Sequence, residues 1–452
     1  MAVGERMILG AVVLLVYSLS TSVEGKHVSS FTHGWDCIAC STNNMLAGNF
    51  GDGNGQNKNF NMSDPWWVDV VAKGYAAVAL NNFLGSETYN GTGENGMVTV
   101  AKALKAANPK IKILFYQNAE FGYTAPVHYE QVEAHPEWWL RNDAGDTVWF
   151  RPPKPGYKGY PAIDLSIAAV QYWFGNLSLG FFKNEEEIRQ LCDGIFVDGS
   201  GYFNRYRYQN LSNDRYEKLF AGKMQMMENV QNYFTKLNGG DVWGNAAMNV
   251  IWRGTPYPGG NLTWGTDLQY FNGAFTERIT GFDADDPNGN WNATFMERMF
   301  ESIINASTAG HSVVIKSFVG PAVPPFVSRG ERGNSFVVSS WAGKTQVPNT
   351  TEGCRKAMAD RVNEIIAPFL IVANERVFFS YAWFYSIADG YIPCKAGVEC
   401  GMPSEWYPEF TRPLGPPKAA AIRQGTVWTR EFEHASVYVD LADRSASRVT
   451  WT

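Results

Sequence analysis

An α/β barrel of eight parallel strands with a small C-terminal β appendage is the fold class that this chain of 452 residues predicts. Three observations carry the prediction: eight short apolar segments in regular order, helical patterns between them, and a change to Pro-rich loop after Tyr391. Parallel strands need crossover connections, usually helical, and eight such units are what a closed (β/α)8 or TIM barrel requires. An open doubly wound sheet gives a similar alternation. Against its nucleotide-binding forms, no G-x-G-x-x-G or G-x-x-x-x-G-K-S/T follows the first strand.

The chain begins with Arg6, an apolar stretch over 7–17 and the small residues Ser18, Ser20, Thr21 and Ser22, the layout of a secretory signal peptide. Residues 1–25 are therefore read as a signal, 26–390 as the barrel and 391–452 as a Pro-rich loop with a small β element. The apolar stretch is short for a bilayer span, with a signal anchor as the alternative, and no later segment is apolar for long enough to cross a membrane. A secreted or secretory-lumen protein, off the membrane after signal cleavage, is expected.

The strands are expected at 75–82, 111–118, 162–165, 194–198, 242–247, 273–277, 312–318 and 377–383. They are short, β-branched or aromatic, and bounded by Gly, Asn or Ser. Helices are expected at 98–107, 168–183, 214–237, 293–309 and 354–371, each with apolar residues three and four apart. Asp214 and Asn292 stand ahead of two of these helices where cap residues belong. The polar, Gly-rich stretches 48–61 and 320–334 fall where barrel rims lie. Alternating segments at 426–432 and 435–440 make the β element, too short for an independent sandwich.

The net charge of −6 comes with scattered basic residues, so neither nucleic acid nor an anionic surface is an expected partner. Aromatic residues reach 14%, with 16 Trp; their flat faces suit the C–H face of a sugar ring, or equally a Trp-rich core. Sequons start at Asn61, Asn90, Asn176, Asn210, Asn261, Asn292, Asn305 and Asn349, as in a secreted glycoprotein, with Asn305 expected to be buried in a helix. A disulfide between Cys394 and Cys400 is expected around a Gly-containing loop. Cys37 and Cys40 form a C-x-x-C without a companion zinc motif, and Cys192 is a buried thiol or a partner of Cys354.

The chemistry is expected at strand ends. The run Gly194-Ile195-Phe196-Val197-Asp198-Gly199-Ser200 reads as a buried strand ending in a carboxylate, and Phe275-Thr276-Glu277 ends the sixth strand in another. Two carboxylates on one rim suit glycoside cleavage: one stays ionised as nucleophile or base while the other is held protonated to donate to the leaving oxygen. The alternatives are a loop or helix cap for Asp198 and an ion-pair partner or cap for Glu277. Asn82, Tyr116, Asn118, Asp164, Asn245 and Lys316 are candidate sugar-hydroxyl readers, each with a structural alternative; for Asp164 that is capping the helix near Ile167. Lys316 as a Schiff-base lysine lacks companions. With six His and neither H-x-H nor H-E-x-x-H, no metal or other cofactor is expected, and the absence of G-x-S-x-G disfavours a serine hydrolase.

The chain resembles the glycoside-hydrolase barrels related to the α-galactosidase and α-glucosidase superfamily. The resemblance lies in Asp193-Gly194-Ile195-Phe196-Val197-Asp198, in Asn272-Gly273-Ala274-Phe275-Thr276-Glu277, and in a tail with Leu414-Gly415-Pro416-Pro417 and Arg430-Glu431-Phe432. In that superfamily the fourth-strand Asp is the nucleophile and a sixth-strand carboxylate is the acid/base, which implies these roles for Asp198 and Glu277. Better-studied members carry Asp on strand six and a fuller C-terminal sandwich. The resemblance implies a retaining hydrolase of an extracellular or cell-wall carbohydrate; the alternative from another class is a non-catalytic carbohydrate-binding protein on the same barrel.

Overall fold

The structure, a computed structural model, describes residues 45–46, 72, 75–80, 93–119, 126–155, 159–177, 184–198, 211–238, 241–244, 271–276, 293–318, 335–340, 343–348, 351–382 and 407–452. Among them the elements run β1 (Met45–Leu46), β2 (Ala77–Leu80), α1 (Gly93–Ala107), β3 (Lys112–Asn118), α2 (Pro126–Ala134), β4 (Trp149–Arg151) and β5 (Tyr160–Pro161). Then come α3 (Ala168–Leu177), α4 (Glu185–Leu191), β6 (Gly194–Asp198), α5 (Asn213–Asn238), β7 (Asp241–Gly244), β8 (Gly273–Thr276), α6 (Ala293–Thr308) and β9 (Ser312–Phe318). The hairpin β10 (Ser335–Ser340) and β11 (Gly343–Pro348) precedes α7 (Thr351–Val372) and β12 (Val377–Ala382). Last are β13 (Ile422–Gln424), β14 (Val427–Glu431), β15 (Ala435–Asp440) and β16 (Arg448–Trp451).

Eight strands form one sheet in the order β1-β2-β3-β6-β7-β8-β9-β12, with every pairing parallel. Among the described residues no ladder joins β1 to β12, so the expected closed barrel is not hydrogen-bonded shut there. The two edge strands nevertheless come within 8 Å of each other, Cα to Cα. The period-two alternation of a strand sorts the side chains into separate cores. Ala77, Ala79, Leu114, Tyr116, Phe196, Phe275, Val314 and Phe378 pack together on one face. The intervening Val78, Leu80, Ile113, Phe115, Ile195 and Val197 pack with residues of α1, α3 and α5 on the other. Ala274, Val313, Ile315, Val377 and Phe379 do the same with α6 and α7.

The helices follow from their apolar stripes. Met97, Val100, Ala101 and Leu104 on α1, and Met296, Met299, Phe300 and Ile303 on α6, are buried at the three-and-four spacing of one face. The cap of α5 is Ser212, whose Oγ accepts from the Arg215 N–H at 3.4 Å, rather than the expected Asp214. The single helix expected over 168–183 is described as α3, and α4 begins after Asn184, whose side chain caps it by accepting from the Glu187 N–H at 2.9 Å. Asn305, expected to be buried, faces solvent on α6.

Two strand expectations need correction. Residues 162–165 form no strand of the large sheet; β5, just before them, pairs antiparallel with β4 in a separate two-stranded sheet. Pro161 has no N–H for a central ladder, and Asp164 turns the chain by accepting from the Ser166 N–H at 3.0 Å. The missing strand is β1, two residues long and too short to leave a pattern. The two errors cancel, so Asp198 still ends the fourth strand of the sheet.

α5 passes the turn ahead of α3 with almost no space between backbones. A Cβ on Gly222 of α5 would lie 2.0 Å from the Leu165 carbonyl oxygen. Backbone cannot yield as a flexible side chain does, so Gly222→Val is expected to destabilise the fold by roughly 2–3 kcal/mol, as overpacked cores do. Chemical denaturation of the variant checks this.

The C-terminal residues build a four-stranded antiparallel sheet, β13-β14-β15-β16, adding two strands to the two expected. One face, with Trp428, Val437, Val439 and Val449, joins the core of α6 and α7. The Leu414–Pro417 and Arg430–Phe432 motifs meet there: Pro417 bridges Phe432, and the His434 N–H donates to the Leu414 carbonyl at 3.0 Å. Gly415 turns at φ +70, and a Cβ there would fall 2.3 Å from that of Glu433.

Candidate active site

The C-terminal ends of parallel strands are where α/β sheets gather functional groups. Asn118 at the end of β3 is in register with Asp198 at the end of β6. One step deeper, Tyr116 pairs with Phe196 in register and stacks on it, ring centroids 6.1 Å apart. Phe196 meets Phe275 edge to face at 5.1 Å. These three rings, with Leu114, Val314 and Phe378, form an apolar floor on one face of the sheet. Strand alternation assigns positions 118 and 198 to the same face as Tyr116 and Phe196, one layer nearer the mouth. Asn118 is buried, and its Nδ2 donates to the Tyr116 hydroxyl at 3.5 Å.

On the far side of the sheet, Thr276 ends β8 in register with Ile315, and Lys316, the next residue of β9, is in register with Ser380 of β12. Glu277 is the residue after Thr276 and has the parity of Phe275. The expected group thus divides. Tyr116, Asn118, Asp198 and Lys316 lie on strands of the one parallel sheet, Asn118 and Asp198 in adjacent register. Asn82, Asn245, Glu277, Cys394 and Cys400 lie outside the described residues, as do Cys37, Cys40 and the signal segment.

Asp164 lies elsewhere. Its side chain is 6% exposed and pairs with Arg215 at 2.7 Å, while its other oxygen accepts from the Ser166 N–H and hydroxyl. Both oxygens are engaged within the protein, the Ser166 contacts at the turn that leads into α3. The tryptophans of 126–173 are half-buried and lie against other rings. Trp138 stacks on His135 at 4.0 Å and tilts against Trp173 at 5.1 Å, and Trp139 tilts against Trp149 at 5.8 Å.

The strand carrying Asp198 is anchored at its other end. Asp193 pairs with Lys105 at 2.7 Å and Lys112 at 3.3 Å and accepts from the Ile113 N–H at 2.9 Å, fixing β6 against β3. An Asp directly before a strand gives no hint of this, because its partners are 81 and 88 residues away. Beside it Cys192 is a buried free thiol whose Sγ donates to the Gly194 carbonyl at 3.2 Å. Burial pushes its ionisation far up, and burial likewise raises Tyr381, whose hydroxyl donates to the Met358 carbonyl at 2.9 Å.

Both groups hold their protons more tightly folded than unfolded. Their contribution is therefore complete below the ordinary values of 9.0 and 10.0 and falls as pH rises past them. Stability is expected to decline above about pH 9, and Cys192 is expected to resist alkylation at neutral pH until the protein unfolds, as peptide mapping after iodoacetamide checks.

Among the described residues no three His, Cys, Asp or Glu side chains converge to hold a metal ion, and no helix is long and apolar enough to cross a membrane.

Residues 105–436 match the model of a family described as hypothetical glycosyl hydrolase family 15. No curated protein matches the chain. Solved structures similar to it include the GH31 dextranase of Flavobacterium johnsoniae complexed with glucose, at 12% identity and TM-score 0.38 over 68% of this chain and 32% of that one. The α-galactosidase TtGalA from Thermus thermophilus, in complex with p-nitrophenyl α-D-galactopyranoside, has 11% identity and TM-score 0.41 over 83% and 62%. The α-amylase from Geobacillus thermoleovorans, complexed with acarbose, has 9% identity and TM-score 0.40 over 88% and 86%. The chain spans about a third of the first structures it matches, 34% of one chain of TtGalA and 32% of the dextranase. The likeness is remote.

Proposed function

The chain belongs to hypothetical glycosyl hydrolase family 15, and from that premise we propose that it is a secreted hydrolase of an extracellular or cell-wall carbohydrate. The observation that carries the reading is the register of Asn118 with Asp198 at the C-terminal ends of two neighbouring parallel strands. By strand alternation these two positions share a face with the apolar floor of Tyr116, Phe196 and Phe275. The eight parallel strands, with β1 and β12 within 8 Å, support a closed (β/α)8 barrel around that floor.

Asp198 would attack the anomeric carbon, and Glu277, next in sequence after the last residue of β8, would protonate the leaving oxygen and later activate water. An apolar floor favours two carboxylates in different protonation states, because low dielectric penalises two charges side by side. Asn118, with Asn82, Asn245 and Lys316, would read sugar hydroxyls. Retention requires the two carboxyl groups about 5–5.5 Å apart, and inversion about 6.5–9.5 Å.

Reducing-sugar release from a panel of algal, fungal and plant polysaccharides tests the activity. Proton NMR of the first-formed anomer then separates retention from inversion. Sugar binding with no turnover across the panel would reject the hydrolase reading.

A further inference from the structure

We infer that Asn305, on the outer face of α6, carries an N-linked glycan that is added before the last turn of this helix forms. The inference goes beyond the hydrolase reading and rests only on the secreted part of it. Asn305-Ala306-Ser307 is an N-x-S sequon whose asparagine is exposed, while Ala306 and Ser307 are each 4% exposed. Asn305 shares its stripe of α6 with Thr294, Arg298, Glu301 and Thr308, all exposed, so a glycan there meets a polar, solvated face.

The transfer makes one bond and breaks one. The Asn305 amide nitrogen attacks the anomeric carbon of an oligosaccharide carried on a lipid diphosphate, the co-reactant of the secretory lumen. The C–N bond forms, the sugar–diphosphate C–O bond breaks, the amide gives up one proton and the lipid diphosphate departs. The transferase has to read the serine hydroxyl together with the asparagine, and folded α6 withholds that hydroxyl. It donates to the Ile303 carbonyl at 2.7 Å and accepts from Asn374 Nδ2 at 2.6 Å.

The backbone of the sequon is held as well. The carbonyls of Asn305, Ala306 and Ser307 accept from the N–H groups of Ala309 at 2.9 Å, His311 at 3.1 Å and Gly310 at 3.1 Å. The last two bonds, with Gly310 at φ +102, make a Schellman end that keeps these residues helical. Asn374 ties this end to the start of β12, since its Oδ1 accepts from the Arg376 N–H at 2.9 Å. Ser307 therefore serves twice, first as the hydroxyl that the transferase reads and then as the buried partner of Asn374. Because α6 ends at Thr308 and β9 begins at Ser312, Asn305 lies where the parallel strands start, at the opposite end from Asp198. A glycan there leaves the candidate site open.

The test translates the full chain with its own leader into microsomes. N-glycans are then released in heavy-oxygen water, which marks each former site as a labelled Asp on peptide mapping. Asn305 is expected to be labelled in most molecules, and at least about tenfold less in chain that folds before solubilised transferase and lipid-linked oligosaccharide are added. Asn305→Gln is expected to lose the label. Asn374→Ala, which leaves the sequon intact, is expected to keep the label on entry into microsomes and to raise modification of the folded chain about threefold. Glycans at other sequons with Asn305 bare overturn the inference, as does equal labelling before and after folding. A chain kept out of the microsomes by its own leader, yet labelled at Asn305 behind a proven signal peptide, instead rejects the secreted reading and leaves the site standing.

Discussion

Asp198→Asn is expected to lower kcat/KM by at least about a thousandfold, equivalent to about 4 kcal/mol of transition-state stabilisation. The substitution keeps the shape of the side chain and removes its charge, so neither the Asn118 ladder nor the floor beneath should change. In the proposed reaction, loss of the ionised carboxylate leaves no nucleophile for a covalent glycosyl intermediate and no fixed charge to face the developing oxocarbenium ion. Binding of the glycan, measured by calorimetry, is expected to stay within a few-fold of wild type, because the proposed hydroxyl readers are other residues. Glu277→Gln separates the second role: its loss of rate is expected to be large for glycosides with poor leaving groups and small for those that need no protonation. Full activity in Asp198→Asn would remove this residue from the mechanism and send the search to other strand ends.

Arg430→Ala is expected to destabilise the protein by about 3 kcal/mol, the upper range for hydrogen bonds to a charged group. Its Nη1 donates to the carbonyls of Leu370 at 3.0 Å, Ile371 at 3.2 Å and Ala373 at 2.6 Å, all at the end of α7. Those carbonyls have no partners within the helix and carry the negative end of its dipole. Arg430 also lies over the Phe432 ring at 5.1 Å. Burial pushes its guanidinium down to about 10, still protonated at neutral pH. Removing it strips the cap of α7 and loosens the C-terminal sheet from the helix layer. Arg430→Lys is expected to recover only part, since an ammonium lacks the planar fork. Equal denaturant midpoints for wild type and Arg430→Ala would show that water replaces the cap without cost.

The two positions show different kinds of legibility. Asp198 stands out in the sequence because a buried strand carries its own signature and its last residue is a carboxylate. Arg430 was visible only as part of a tail motif, and its task depends on α7 lying across its path, with acceptors 57–60 residues away. Asp193, Arg215 and Asp143, which accepts from the Ser212 N–H, are silent for the same reason. Each acts on a partner brought near by folding, and a single charged residue looks the same in sequence whether it is solvated or clamped.

By itself the sequence determined the α/β class, seven of the sheet's strands, the major helices with their apolar stripes, and the acid at the end of β6. All of these follow from local periodicity, which a chain carries whether folded or not. Tertiary structure decided the rest. It placed β1 in the sheet, because two residues pair only when a neighbouring strand is already there. It moved residues 162–165 out of it, because Pro161 and the Asp164–Arg215 pair favour a turn. It also set the tryptophans of the insertion between β3 and α3 half-buried against other rings and fastened that insertion to the start of α5. Such outcomes depend on which groups meet across long separations, and loop closure and packing set that, not local pattern.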